Sequence, residues 1–255
     1  MLMYSLVAAL AGILFVLIAA WLFRRTGQKG KNAGETGADH AGGMLASLFL
    51  LVLAIAVIVP WTNADSARQT TYTEARALTE AYWAAGGLSQ ADKQQTRAEL
   101  EGYTGYVAGP EWSAVRRGHL TTAGWQRLDA LRSRLERLDL KVKDQADARD
   151  GVVSDLKDAY AARRQRAVDA QAGLPGGVLA LTILTGLAIV IFPFLTGARP
   201  SGLLLVPMVL MTALLGVGVY LVFDIAHPFT GGLGVGPAAF TTALHEFSRI
   251  QAATP

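Results

Sequence analysis

The chain has 255 residues, is 52% hydrophobic, contains no cysteine and carries a formal net charge of +3. So small a surplus, with bases and acids interleaved, argues against a nucleic-acid partner. The lack of cysteine excludes disulfides, thiolate metal sites and thiol catalysis.

The apolar residues lie in long runs. Leu2–Phe23, Gly42–Trp61, Gly176–Thr196 and Gly202–Phe223 contain no Asp, Glu, Lys or Arg, and each is about the length of the roughly 20 residues that cross a bilayer. The predicted fold class is an all-α membrane protein: four transmembrane helices, with a helical soluble domain inserted between the second and third spans. The first run has no basic residue before it and ends at Arg24 and Arg25 without a small-residue cleavage site, so it reads as an uncleaved anchor. Residues 1–61 would hold spans one and two, joined by a flexible basic loop, residues 24–41. That loop carries Arg24, Arg25, Lys29 and Lys31, and the short loop Gly197–Ser201 carries Arg199. Positive-inside bias places both in the cytoplasm of a multi-pass inner (plasma) membrane protein, leaving the soluble domain extracytoplasmic. The triplet Arg163, Arg164 and Arg166, close to the third span, weighs the other way.

Residues 62–175 show helical spacing and no strand alternation. The second span is expected to run on through Tyr72, Leu78 and Tyr82 to Gly86 and Gly87, where paired glycines stop it. Ser89 with Asp92 resembles a capping pair opening a helix through Tyr103 and Val107, which Gly109 and Pro110 break. After Thr121 or Thr122, Leu128, Leu131, Leu135, Leu138 and Val142 follow the spacing of a coiled-coil seam. A further helix carrying Val153, Leu156 and Tyr160 leads to Gly173 and Pro175. Residues 176–223 hold spans three and four. The tail, 224–255, is turn-rich through its glycines and then forms a short helix opened by Pro237, with Phe240, Leu244 and Phe247 on one stripe. That stripe is expected to lie at the membrane surface or to pack on the soluble domain.

Few residues point to chemistry. Asp224 and His227, three apart past the fourth span, would make a proton, cation or interface site if both faced one side of the last helical turn; otherwise they mark the water interface. Arg163, Arg164 and Arg166 would hold anionic head groups or flank a pore mouth, the alternative being a solvated helix face. Trp83, Tyr103 and Trp112 would form the domain core or line a pocket. The remaining histidines lack metal-ligand spacing, and the chain has no nucleophile elbow, phosphate-binding glycine loop or HExxH, so no metal, cofactor or enzymatic activity is expected. The spans hold no acid or base of the sort that proton pumps and ion-coupled transporters need at the midplane, which disfavours an ion-coupled transporter. Small residues at four-residue spacing, Ala8 with Gly12, Thr182 with Gly186 and Thr212 with Gly216, permit close helix packing within or between subunits.

Three stretches together resemble the bacterial bestrophin-like domain family. They are Trp61 through Glu74, Ala75, Leu78 and Tyr82; Tyr103 to Glu111-Trp112; and Arg163, Arg166, Leu174 and Pro175 with the His227-Pro228-Phe229-Thr230-Gly231 tail and Phe240. The chain departs from the family in placing Asp224 three residues before His227, so no family role passes to Asp224. The resemblance implies a homo-oligomeric ion channel whose partners are the bilayer and further copies of itself. A non-conducting scaffold binding a membrane-protein partner through the 128–138 seam is the competing reading.

Overall fold

The computed structural model describes Ile18, residues 35–195 and residues 205–253. The first apolar run apart from Ile18, with its pair Ala8 and Gly12, the loop Gly197–Ser201 and most of the loop 24–41 lie outside the described residues. Among those described, every regular element is helical. Two helical stretches, His40–Gly87 and Lys143–Leu195, contain segments long and apolar enough to cross a membrane, with mean hydropathies of 2.7 and 2.6; Met208–Asp224 is a shorter apolar helix. The chain divides into two units: Met1–Thr62, Gly173–Ala226 and Gly231–Leu233, and Asn63–Ala172, His227–Thr230 and Gly234–Pro255.

The first unit takes the apolar part of α1 (Glu35–Ala84), α6 (Gly176–Leu195) and α7 (Leu205–Asp224). Phe49, Ile189, Val190 and Phe194 form its core. Gly186 lets the helices approach: a Cβ there would meet Phe49 and Leu215 at 3.3 Å, the role small residues play where helices pack in lipid. Thr182 and Thr212 are buried beside it, and their hydroxyls donate to the carbonyls of Val178 and Met208 in their own helices, so neither leaves an unmet polar group. The outward faces stay apolar. Leu50, Leu51, Ile58, Leu184, Leu210 and Leu214 are all more than half exposed, and patches of that kind mark a surface made for lipid or for another chain.

The second unit is a helical bundle. The continuation of α1 ends in a 3-10 turn at Ala85–Gly87. Ser89 accepts from the Asp92 amide and opens α2 (Gln90–Tyr106), and Thr121 accepts from the Gly124 amide and opens α4 (Thr122–Glu136). Gly109 and Pro110 do not break the chain. A π-helical turn, Val107–Glu111, carries it into α3 (Trp112–Val115), because a widened turn absorbs the proline ring and its missing N–H. The leucine seam is shorter than its spacing suggests. Leu128, Leu131 and Leu135 are buried, but α4 ends at Glu136; Leu138 is only partly buried and Val142, 52% exposed, precedes α5 (Lys143–Gln171).

The terminal helix α8 (Ala238–Ala253) buries Phe240, Ala243, Phe247 and Ile250 in the core of this unit. Phe247 stacks on Tyr82, ring centroids 4.3 Å apart, and Phe240 meets Trp112 edge-on at 6.2 Å. Trp83, expected in this core, is 47% exposed, and Tyr82 beside it takes the buried position. Ala67, Thr71, Glu74, Leu78 and Ala81 form a buried row of α1 at alternating four- and three-residue steps, Ala75 and Tyr82 stand beside it at three and four residues from Leu78, and Trp83 falls off both. Phe247→Ala should cost about 3–5 kcal/mol by emptying the Tyr82 stack and should free α8 to limited proteolysis before the rest of the chain; unchanged protease resistance would count against the docked helix.

Candidate functional site

Four charged residues lie at the centre of the second unit with no solvent exposure: Glu74, Glu111, Arg163 and Arg166. Each stands on the apolar row of its own helix. Glu74 belongs to the α1 row. Glu111 continues the row of Leu100, Thr104 and Val107, which the π turn keeps in phase. Arg163 and Arg166 continue the α5 row of Val152, Leu156 and Ala159. Helix periodicity alone therefore aims all four inward.

Arg163 meets Glu111 through two parallel bonds, Nη1 to Oε1 at 2.9 Å and Nη2 to Oε2 at 2.7 Å. Arg166 meets Glu74 through Nε to Oε2 at 2.8 Å and Nη2 to Oε1 at 3.1 Å. These are fork-on-fork geometries, the strongest form of the pair. The two pairs are cross-linked: Arg166 Nη2 reaches Glu111 Oε1 at 3.4 Å, and the Tyr103 hydroxyl donates to Glu74 at 2.5 Å while accepting from Arg163 at 2.9 Å. Thr121, the cap of α4, donates its hydroxyl to Glu111 at 2.6 Å. Arg163 lies over Trp125 at 4.6 Å, and Arg166 over Phe240 at 5.1 Å and Trp112 at 5.8 Å. The ring faces compensate partly for Arg163 Nε and Arg166 Nη1, which have no hydrogen-bond partner.

Burial pushes the Glu111 carboxyl up, but the bonds and charge of Arg163, the Thr121 hydroxyl and the Arg166 charge outweigh it and hold the group below its usual value. Both arginines are drawn down by burial, yet Glu111 holds Arg163, and Glu74 holds Arg166, above the ordinary guanidinium value. Tyr103 is driven far up, first by burial and then by the Glu74 charge. The quartet thus sets two acidic side chains against two guanidiniums, every one of them held by a partner inside the unit. It joins α1, α2, the π turn, α5 and the α4 cap at one point.

This corrects the reading of the arginine triplet. Arg163 and Arg166 are neither a pore mouth nor a head-group site nor a solvated face; only Arg164 is exposed. Tyr103 and Trp112 are buried together around the quartet. Asp224 and His227 do not share a helical turn, because α7 ends at Asp224. The Asp224 carboxylate accepts from the Gly232 amide at 3.1 Å, and Gly231 beside it has φ +76. Asp224 pins its own loop. A Cβ on Gly231 would collide with the Asp224 carbonyl oxygen, so that left-handed position belongs to glycine on two counts. Sequence reasoning did not find Glu74 and Glu111 as partners of the arginines. The available signal was a charged residue on each buried helical row.

A largely apolar cavity of about 350 Å³ lies in the first unit, lined by Ile183, Leu187, Val190, Leu215, Val219 and Phe223 together with Thr212 and Tyr220. Among the described residues, no cluster of His, Asp and Glu could hold a metal.

Glu111→Gln should destabilise the protein by about 3–5 kcal/mol, since it leaves Arg163 buried without its counter-charge. The double change Glu111→Met with Arg163→Met should cost less than the sum of the two single changes in thermal unfolding. Gly124→Ala should be comparably damaging, because its Cβ would collide with both Arg163 Nη2 and Glu111 Oε2. Glu111's contribution is fully present above its unfolded value, near 4.5, and is lost as pH falls through its lower folded value; Glu111→Gln should remove that part of the acid sensitivity.

The residues that meet at this quartet, Glu74, Tyr103, Glu111-Trp112, Arg163, Arg166, Phe229 and Phe240, come from all three stretches that carry the bestrophin-like resemblance. No curated protein and no solved structure matches the chain. The family described as "Bestrophin-like domain" matches residues 9–240, and the chain belongs to that family.

Proposed function

We propose that this chain is a non-enzymatic, four-span protein of the plasma membrane whose copies associate around a shared axis to form an ion-conducting pore. Membership of the Bestrophin-like domain family over residues 9–240 carries the reading. The exposed apolar faces of α1, α6 and α7 support it. The described helices have no charged residue between Gly42 and Trp61, between Gly176 and Leu195, or between Leu205 and Phe223, so one copy cannot enclose a wet path. Each subunit would contribute a helix to the pore wall, and α1, whose continuation enters the helical unit, is our choice. The competing reading, a non-conducting scaffold, drew on the seam Leu128, Leu131, Leu135 and Leu138. Three of these residues are buried in the chain's own core, so that stripe is not free to dock a partner.

Sidedness follows from charge. The buried Arg163 and Arg166 are neutralised by Glu74 and Glu111, which removes two of the three cations that weighed against a cytoplasmic placement of the basic loops. A cysteine introduced at Thr36 should resist an impermeant thiol reagent on whole cells, while one at Ser133 reacts; the opposite pattern inverts the topology.

Purified protein should run as a homo-oligomer in detergent and conduct ions when reconstituted into liposomes. A strictly monomeric particle, or no flux under any ionic condition, would sink the pore reading.

A further inference from the structure

Two arginines of the second unit stand apart from the ion-pair network. Arg116 and Arg117 follow α3 in a turn closed by Gly118, which has φ +85 and donates its amide to the Val115 carbonyl at 2.9 Å. A Cβ on Gly118 would come within 3.2 Å of the Ala170 carbonyl, so the turn lies against the C-terminal end of α5. The turn His227–Thr230 faces it, closed by the Thr230 amide donating to the His227 carbonyl at 3.3 Å and anchored by Phe229, edge-on to Trp112 at 5.7 Å. Together these segments enclose a cavity of about 460 Å³ lined by Arg116, Arg117, Gln171, His227, Phe229 and Thr230.

No acidic side chain lines this cavity, and among the described residues neither Arg116 nor Arg117 enters a salt bridge or a side-chain hydrogen bond. Both are exposed. Against their two full charges stand the α5 C-terminus, worth about half an elementary charge, and Asp169, which is buried and outside the lining. The positive charge prevails. Two guanidinium forks beside a hydroxyl and an amide suit tetrahedral oxyanions. The volume falls within the roughly 300–1,000 Å³ of small-molecule sites, far more than a bare halide needs, and Val115 and Phe229 offer apolar wall to an ester substituent.

We propose that this cavity binds a phosphate group, supplied either by an anionic phospholipid head group or by free phosphate. The lipid source is favoured by sequence: Gln171 lies five residues before α6 begins, and His227 three residues after α7 ends. Residues so close to apolar helices belong to the head-group region if those helices span the bilayer, where clustered arginines select anionic lipid. Only that choice of source rests on the membrane-spanning reading, and the test does not involve conduction.

The full-length protein is compared with Arg116→Gln/Arg117→Gln and with Arg137→Gln/Lys141→Gln, which removes equal charge outside the cavity. Native mass spectrometry reads retained phosphatidylglycerol against phosphatidylcholine, and thermal unfolding reads inorganic phosphate against chloride at matched ionic strength. The substituted side chains are exposed, so the fold should survive, and unfolding without phosphate checks it. Preferential retention of phosphatidylglycerol that falls about tenfold or more in the Arg116/Arg117 variant alone establishes the lipid source. Unchanged lipid retention with a phosphate-induced stabilisation lost only in that variant establishes free phosphate. Equal binding in wild type and the Arg116/Arg117 variant, or equal loss in both variants, overturns the site.

Discussion

Burying two carboxylates and two guanidiniums together is the constraint on which the second unit is built. Each ion costs several kcal/mol to take out of water even after the protein relaxes around it, so the four tolerate burial only as a complete set. Glu74, Glu111, Arg163 and Arg166 sum to zero charge, and Tyr103 and Thr121 occupy carboxylate oxygens that would otherwise lack donors. A hydrophobic core of equal volume would hold the same helices at least as firmly but would tolerate sliding and rotation. Here a slip of α5 by one residue would turn both guanidiniums out of reach of their acids. The quartet therefore acts on register, and Gly124 shows how closely its surroundings are cut to it, since even a methyl group there would occupy the space of the Arg163–Glu111 pair.

The π turn serves the same end. A proline after a glycine usually ends a helix, and a break at Gly109-Pro110 would have freed Glu111 to swing toward water. By widening instead of breaking, Val107–Glu111 keeps Glu111 in line with Leu100, Thr104 and Val107 and delivers Trp112 to the ring cluster with Phe229 and Phe240. One irregular turn thus places both the acid and the aromatic that covers Arg166.

What was legible in the sequence was local. The uncharged runs, the cap at Ser89 and the stop at Gly86-Gly87 depend on residues within one turn of each other. The quartet depends on pairings 92 residues apart for Arg166 with Glu74 and 52 for Arg163 with Glu111, and no local pattern states them. Arg163-Arg164-Gln165-Arg166 reads as a wet helix face because its composition is polar. Its phase says otherwise: positions 152, 156, 159, 163, 166 and 170 keep strict four- and three-residue steps, and all are buried, whereas Arg164 lies off the row and is exposed. The same test separates Tyr82 from Trp83. Side-chain size favours the tryptophan as a core residue, and helical phase puts the tyrosine there.

The split between paired and unpaired charge bears on what the molecule can attract. The quartet presents to the outside a sum of zero, and its members lie within hydrogen-bonding distance of one another, so its field falls off as that of opposed dipoles. It cannot steer ions to a pore or hold a head group, although it contains two of the three arginines of the cluster Arg163, Arg164 and Arg166. Exposed arginines without counter-charges retain a field over about one Debye length, roughly 8 Å at physiological ionic strength. Arg116 and Arg117 are of that kind. Their turn is built on Val115, at the end of the helix that Trp112 opens, and it faces the segment that Phe229 pins to Trp112. The buried charges thus fix the scaffold on which the free charges are displayed, so a substitution that loosens the quartet should disturb anion attraction at a distance, while a substitution at Arg116 or Arg117 leaves the bundle intact.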